Sequence, residues 1–408
     1  MKSKKKQNKA KQINTKKLTK KQLITIISIL AVICVITAAI ITTLAIRKKI
    51  NDKTVRIGFY GLSEEMCTLI KEKIPVEEEV ILDFQVIPEE AFEPSVIKSK
   101  YDMLFTWRGE VTDYLADSSE DIPNRIFETM PNSLRDKKKK CIPILLDNCE
   151  FTFRTEIVNK LGGTVPVSFK DFEEYLEASK KYVFSPFFCN GAEDRILIDF
   201  IGAMVEAKTG LSGYNKFIEE LRKAESLEDV LDIKIEDSSL HEILDMLKSW
   251  PKEGYAHPAW FNGRGNDLLY FAEENQVSVF FTTLSAHRKI PYNVIKNYES
   301  SLVPTNQSAG NYGLIAPAVS AMLISDNSNC KRYLAGFFTE EVQEELSNKT
   351  MLAPVHYRAQ AYDRQADDVR FWSASCAGGA IPDLYLAVYQ RDKEKLKKMC
   401  DEIRGYIR

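Results

Sequence analysis

Val55-Arg56-Ile57-Gly58-Phe59-Tyr60-Gly61, then Ser63 to Lys73, then Val80 to Ile87, then Asp102-Met103-Leu104-Phe105-Thr106: these four stretches decide the fold. The first is β-branched and aromatic and is closed by a glycine, so it reads as a strand. The second puts Met66, Leu69 and Ile70 on one helical face. The third is a strand stopped by Pro88, and the fourth is another strand. Strand, helix, strand, strand in this rhythm implies a parallel sheet covered by helices, an α/β fold.

The same alternation continues outward to the C-terminus. Ser168-Phe169-Lys170-Asp171 has the form of a helix cap, followed by Phe172 and Leu176 at helical spacing. Val277 to Phe281 and Tyr312 to Ala316 read as strands. Cys330, Tyr333, Leu334, Phe337 and Phe338 mark one amphipathic helix. Leu396, Met399, Cys400, Ile403 and Ile407 mark the last. A body of about 360 residues is too long for one ordinary core, so two lobes are expected.

In the other direction the pattern changes. Residues 23–46, LITIISILAVICVITAAIITTLAI, carry no charged side chain. As a helix at roughly 1.5 Å per residue they reach about 36 Å, enough for a hydrocarbon core of roughly 30 Å. Residues 1–22 hold ten lysines and no acid. A lysine-rich flank stays inside the cell, so 1–22 is expected to be a basic cytoplasmic tail, 23–46 a transmembrane anchor and 47–53 a linker, with the body outside. The opposing cluster Arg47-Lys48-Lys49 is smaller. A cleaved signal peptide, with Thr43-Leu44-Ala45 as its site, would have a shorter apolar region of roughly 7–15 residues. A lipoprotein would carry its lipid on Cys34, but that residue follows Ile33 and sits inside the apolar run.

The formal net charge is −2. Without the ten tail lysines, 46 basic residues face 58 acidic ones. A body of that sign gives no reason to expect a nucleic-acid partner. Seven cysteines lie outside the span, and an odd number leaves at least one unpaired. Cys141–Cys149 is one conceivable bridge, and buried single thiols are the simpler reading.

Catalytic signatures are missing: no HExxH, no GxSxG and no P-loop. Gly263-Arg264-Gly265 lacks a third glycine and a preceding strand, so it is no dinucleotide loop. His241, His257, His287 and His356 lack metal-binding spacing, and no cofactor is implied. Glu64-Glu65 and Asp367-Asp368 read as solvated faces.

A resemblance carries the functional expectation. From about residue 54 to the end, the chain resembles the family 1 extracellular solute-binding proteins of ABC importers, the maltodextrin-binding type. Tyr101 to Trp107 is similar to the family's strand and cleft loop after the second helix. Ile142-Pro143 and Cys149 to Arg154 are similar to its first passage between lobes, with Arg154-Thr155 in place of Tyr-Asn. Gly162 to Phe169 with Phe172 resembles its Pro-x-Thr-Trp helix start. Phe271 to Val279 resembles its F-x-x-G-x-x-A-M strand, with Asn275 where glycine is usual. Gly313 to Ala316 and Phe337 to Gln343 resemble its late strand and following helices.

The resemblance implies a two-lobed, periplasmic-binding-protein-like type II fold preceded by one N-terminal transmembrane helix. Lobe 1 would be 54–146 and 304–347, and lobe 2 150–302 and 351–408. It implies a small-molecule ligand, a sugar, held in a cleft and delivered to an ABC importer permease, without catalysis. Cleft candidates are Trp107, Arg108 and Glu110 after a lobe 1 strand, Asp147 in the hinge, and Trp260, Ser285, His287 and Trp372 from lobe 2. Aromatic faces cover sugar C–H surfaces, and planar polar groups bond hydroxyls. Ser285 stands where the maltodextrin type places a stacking aromatic, which argues against a maltodextrin. Trp260 and Trp372 also suit a core, Arg108 and Glu110 an exposed ion pair, and Asp147 a turn cap. Two rival expectations are a sensing or binding ectodomain of this fold without a transporter, and a cell-surface hydrolase.

Overall fold

The computed structural model describes residues 29, 33, 36, 37, 42, 53–307, 311–376 and 378–408. Most of the tail, the 23–46 span and the linker lie outside the described residues. Within the span, Ile29, Ile33, Ile36, Thr37 and Thr42 are helical, and the Thr37 hydroxyl donates to the Ile33 carbonyl at 2.8 Å. Among the described residues no helix is long and apolar enough to cross a membrane.

The body starts with β1 (Thr54–Tyr60), β2 (Ile81–Ile87), β3 (Met103–Trp107) and β4 (Ile142–Leu146). Between β1 and β2 runs helix Glu64–Glu72, whose Ser63 cap accepts the Met66 N–H and satisfies an otherwise orphaned donor. β1 and β3 are parallel, with Ile57 opposite Met103. The chain then crosses at Asp147-Asn148 into β5 (Cys149–Arg154), β6 (Ser185–Phe188), the short pair β7 (Lys234–Ile235) and β8 (Ser238–Ser239), then β9 (Val277–Thr283) and β10 (Tyr298–Ser301). It returns through β11 (Leu314–Ile315) to β12 (Ala318–Leu323) and β13 (Ala353–Pro354), and ends past β14 (Ala380–Ile381) with helix Lys393–Ile407.

Two principal sheets result. One has six strands in the order β13-β4-β12-β3-β1-β2, and the other four in the order β10-β5-β9-β6. β11 pairs in parallel with β14 as a small separate ladder. The expected parallel pairing holds for β1 with β3 and for β6 with β9, but the sheets are mixed. β12 runs antiparallel to both β3 and β4, and β5 runs antiparallel to β9 and β10. The cause is connectivity. A strand that reaches its sheet from the other sheet, rather than through a βαβ crossover, is not bound to run parallel.

Burial follows the sequence periodicities. β9 is buried along all seven residues, as a central strand covered on both faces must be. A core of aromatic residues fills the four-stranded half. Phe151 stacks on Phe172 at 5.0 Å and meets Phe281 edge-on at 5.9 Å. Helix Lys393–Ile407 buries Leu396, Met399, Cys400, Ile403 and Ile407, the predicted face. Asn275 adopts φ 58. A left-handed residue is needed there, which is why glycine would serve and why asparagine is the side chain that substitutes best. All seven cysteines of the body are buried free thiols, so Cys141 and Cys149 are not bridged.

Candidate functional site

The two sheets bound a cleft of about 690 Å³, inside the range of small-molecule sites, roughly 300–1,000 Å³. Its walls come from both halves of the body. Met66 and Leu69 of the first helix and Trp107 at the end of β3 face Arg195, Ser285 and Arg288. Met351 and Leu352 line it from the segment before β13.

The polar floor is assembled from a strand end and two helix starts. Asp147 follows β4 and is buried. Its Oδ1 accepts the N–H groups of Asn148 and Ser285 at 2.9 and 3.0 Å, and its Oδ2 accepts the Ser285 hydroxyl at 2.6 Å. Burial pushes the Asp147 carboxyl upward, and the bonds from Ser285 and Asn148 oppose that rise. Ser285 is fixed in turn by the short helix Leu284–His287, capped by the Thr283 hydroxyl.

Arg195 stands at the start of the long helix Asp194–Lys223. Beneath it lie two fully buried acids, Asp199 and Asp383. Its Nη2 donates to Asp383 Oδ2 at 3.1 Å, and its Nε lies 3.6 Å from Asp199 Oδ2. The guanidinium sits 6.0 Å from the Trp107 ring centre and 5.0 Å from that of Tyr385. Burial works against the Arg195 charge, but Asp383 and Asp199 outweigh it and hold the group protonated. Burial, and then Asp383, push the Asp199 carboxyl well above its usual range, with Arg195 opposing. With 38 % of its side chain open, Arg195 still presents donors to the cleft. Trp107 adds a flat apolar face, Asp147 and Ser285 acceptors and a hydroxyl. Such a set grips a polar, ring-shaped, uncharged or weakly charged molecule.

Of the eight residues expected at a site, the cleft brings Trp107, Asp147 and Ser285 together. His287 is 2 % exposed and turned away. Its Nδ1 is 2.9 Å from Glu150 Oε1 and its Nε2 is 2.9 Å from the Gln365 amide. Arg108 donates to the Ala380 carbonyl at 3.1 Å, bracing β14. Glu110 accepts the Arg391 N–H at 3.2 Å, and burial raises its carboxyl against the pull of Arg391. Neither lines the cleft. Trp260 is 0 % exposed and meets Phe200 edge-on at 5.3 Å, inside the core. Trp372 is half-buried on helix Arg364–Ser375, whose Ser373 carbonyl accepts the Ser133 hydroxyl, and it does not line the cleft. Arg195, Asp199, Asp383 and Arg288 escaped sequence reasoning. One sign of them was present: Asp199 is the lone charge within the apolar run Ile196 to Val205.

Among the described residues no group of three or more His, Cys, Asp or Glu side chains is placed to hold a metal.

Comparison with solved structures gives the architecture a name. The bacterial solute receptor AcbH, described as exclusively preferring β-D-galactopyranose, superposes with a TM-score of 0.66 at 11% identity, over 86% of this chain and 96% of that one. Apo RafE from Streptococcus pneumoniae gives 0.62 at 14% identity, over 87% and 97%. The cyclic α-maltosyl-1,6-maltose binding protein from Arthrobacter globiformis gives 0.54 at 12%, over 87% and 98%. The fold is that of the solute-binding proteins. The two-lobed α/β architecture expected from the resemblance is therefore present, and the proteins that share it here are binders rather than enzymes. No protein-family model and no curated protein sequence matches the chain.

Proposed function

We propose that this chain is a membrane-anchored, extracytoplasmic substrate-binding protein that captures a small carbohydrate for an ABC importer. The observation that carries the proposal is the cleft between the two sheets, where the Trp107 face, the Arg195 donors and the Asp147–Ser285 pair converge. A pyranose offers that pattern in reverse, with apolar C–H faces and a rim of hydroxyls. Structures of this fold with sugar ligands support the reading. They include RafE in complex with raffinose and maltose-bound MalE3 of T. maritima.

The remaining parts of the proposal rest on the sequence. Residues 23–46 anchor the chain, residues 1–22 stay in the cytoplasm, and the body faces outward to meet a permease. The lobes are 54–146 with 304–347 and 150–302 with 351–408, closing on the ligand about the Asp147 crossing. No chemistry is done on the ligand.

The test is a thermal-shift screen of the full-length chain against neutral mono- and oligosaccharides, with oligopeptides as the competing class. A saccharide that raises the melting temperature in proportion to the logarithm of its concentration supports the proposal. A response confined to peptides overturns it.

A further inference from the structure

A second cavity, of about 300 Å³, lies away from the cleft and shares no lining residue with it. Its walls are mostly apolar. Leu302, Val303, Leu314 and Ile315 come from the chain between β10 and β12, and Pro166 comes from the loop before helix Phe169–Ser179. Among the described residues one charged side chain opens into it. Glu206, on helix Asp194–Lys223, is 4 % exposed. Its Oε1 accepts the Gly313 N–H at 2.8 Å. Its Oε2 has no partner among the described residues and remains reachable from the cavity.

The wall beside Glu206 is built rather than loose. Gly210 takes φ 71 and breaks the helix. The break leaves helical carbonyls without their usual donors, and the facing chain supplies them. The Thr305 hydroxyl donates to the Ala207 carbonyl and the Gln307 amide to the Lys208 carbonyl, each at 3.0 Å. The Leu211 N–H donates to the Asn311 carbonyl at 2.8 Å.

Among the described residues no cation balances this carboxyl. Lys208, two residues on, is turned onto the Phe169 ring at 3.6 Å. The other titratable groups near Glu206 are neutral at neutral pH. Burial pushes the Cys149 and Cys376 thiols upward. Burial likewise pushes the Tyr312 and Tyr214 phenols upward. The Glu206 carboxyl itself is pushed up to about 7 by burial, against the bond from Gly313. An apolar chamber with one uncompensated acid at its wall lacks a positive charge carried on an apolar body.

We propose that this cavity is a second binding site, which takes a small organic ammonium ion with an apolar body and pairs its ammonium with Glu206. The charge-assisted bond goes to the free Oε2, and the apolar body covers Leu302, Val303 and Leu314. At roughly 30 Å³ per water-sized group, the chamber holds on the order of ten non-hydrogen atoms. Below pH 7 the carboxyl carries a proton that must leave when the cation binds, so binding strengthens as pH rises through about 7.

The probe is 2-phenylethylammonium chloride, titrated calorimetrically into the full-length chain at pH 6 and pH 8, with neutral 2-phenylethanol as its isostere. A carboxyl titrating at about 7 is about one-tenth ionised at pH 6 and nine-tenths at pH 8, so the affinity should rise about tenfold. Glu206→Gln keeps an acceptor for Gly313 and should remove the pH dependence and at least tenfold of the affinity. Val303→Trp fills the chamber, leaves Glu206 in place, and should abolish binding of both compounds. Equal affinity for the ammonium and the alcohol overturns the proposal. So does ammonium binding that survives either substitution, or no ammonium binding at millimolar concentration.

Discussion

Replacing Arg195 with methionine removes the cation from above two acids and keeps most of its stem. In the native protein its donors stand 3.1 Å from Asp383 and 3.6 Å from Asp199, both fully buried. Opposite charges about 4 Å apart attract by about 4 kcal/mol at an effective dielectric near 20. Stripping one partner from a buried pair costs about 3–5 kcal/mol, because an uncompensated charge stays behind. Arg195 keeps 38 % of its side chain open to solvent, which screens part of the attraction and places the loss at the lower end, about 3 kcal/mol. The loss depends on pH. An acid whose folded pKa is raised, as that of Asp199 is, stabilises the native state at low pH and loses that contribution as pH climbs through the folded value. Arg195→Met raises it further, so its deficit should be larger at pH 8 than at pH 5. Urea unfolding at both pH values measures this. Adding Asp383→Asn removes one of the stranded acids and should restore about half of the deficit at pH 8. A deficit under about 0.5 kcal/mol, or one equal at both pH values, refutes the idea that buried acids hold Arg195 charged and aimed into the cleft.

Three further outcomes are expected. Trp260→Ala should cost about 3–5 kcal/mol of folding stability by denaturant unfolding and leave saccharide affinity unchanged, since Trp260 packs among Phe187 and Phe200; a selective affinity loss would return it to the site. Asn275→Gly should change stability by less than about 0.5 kcal/mol and Asn275→Val should lower it by about 1–2 kcal/mol, because φ 58 crowds a branched side chain; equal melting temperatures would contradict this. Fractionated cells should hold the chain in the membrane at its full mass, and a soluble form beginning near Ile46 would count against a retained anchor.

The parts of the fold legible in the sequence are those long enough to show a period. β1, β3 and β9 fall within a residue or two of their expected bounds and helix Lys393–Ile407 buries its expected face, because each buries a regular apolar pattern. β11, β13 and β14 have two residues each, too few for any period. The direction of β12 is set by where the chain returns from the other sheet, which no local pattern encodes.

The site divides the same way. Trp107 ends β3, a strand the local pattern shows, whereas Asp147, just after β4, is placed by the resemblance of Ile142-Pro143 and Cys149 to Arg154 to a passage between lobes. Arg195 and Asp383 are separated by 188 positions and meet through tertiary packing alone. Trp260 and His287 are cleft candidates by the resemblance alone, and their burial depends on neighbours in space: Phe200 for one, Glu150 and Gln365 for the other.

The central claim is that a saccharide lies against Trp107 in the cleft. The most direct measurement is a calorimetric titration of the strongest saccharide from the thermal screen into the native chain and into Trp107→Ala, with the ligand then analysed by mass spectrometry. The account predicts saturable binding by the native chain, a loss of about 1–3 kcal/mol in the variant with much less loss of folding stability, and full recovery of unaltered ligand. Equal affinity in both proteins, or turnover of the ligand, would contradict it.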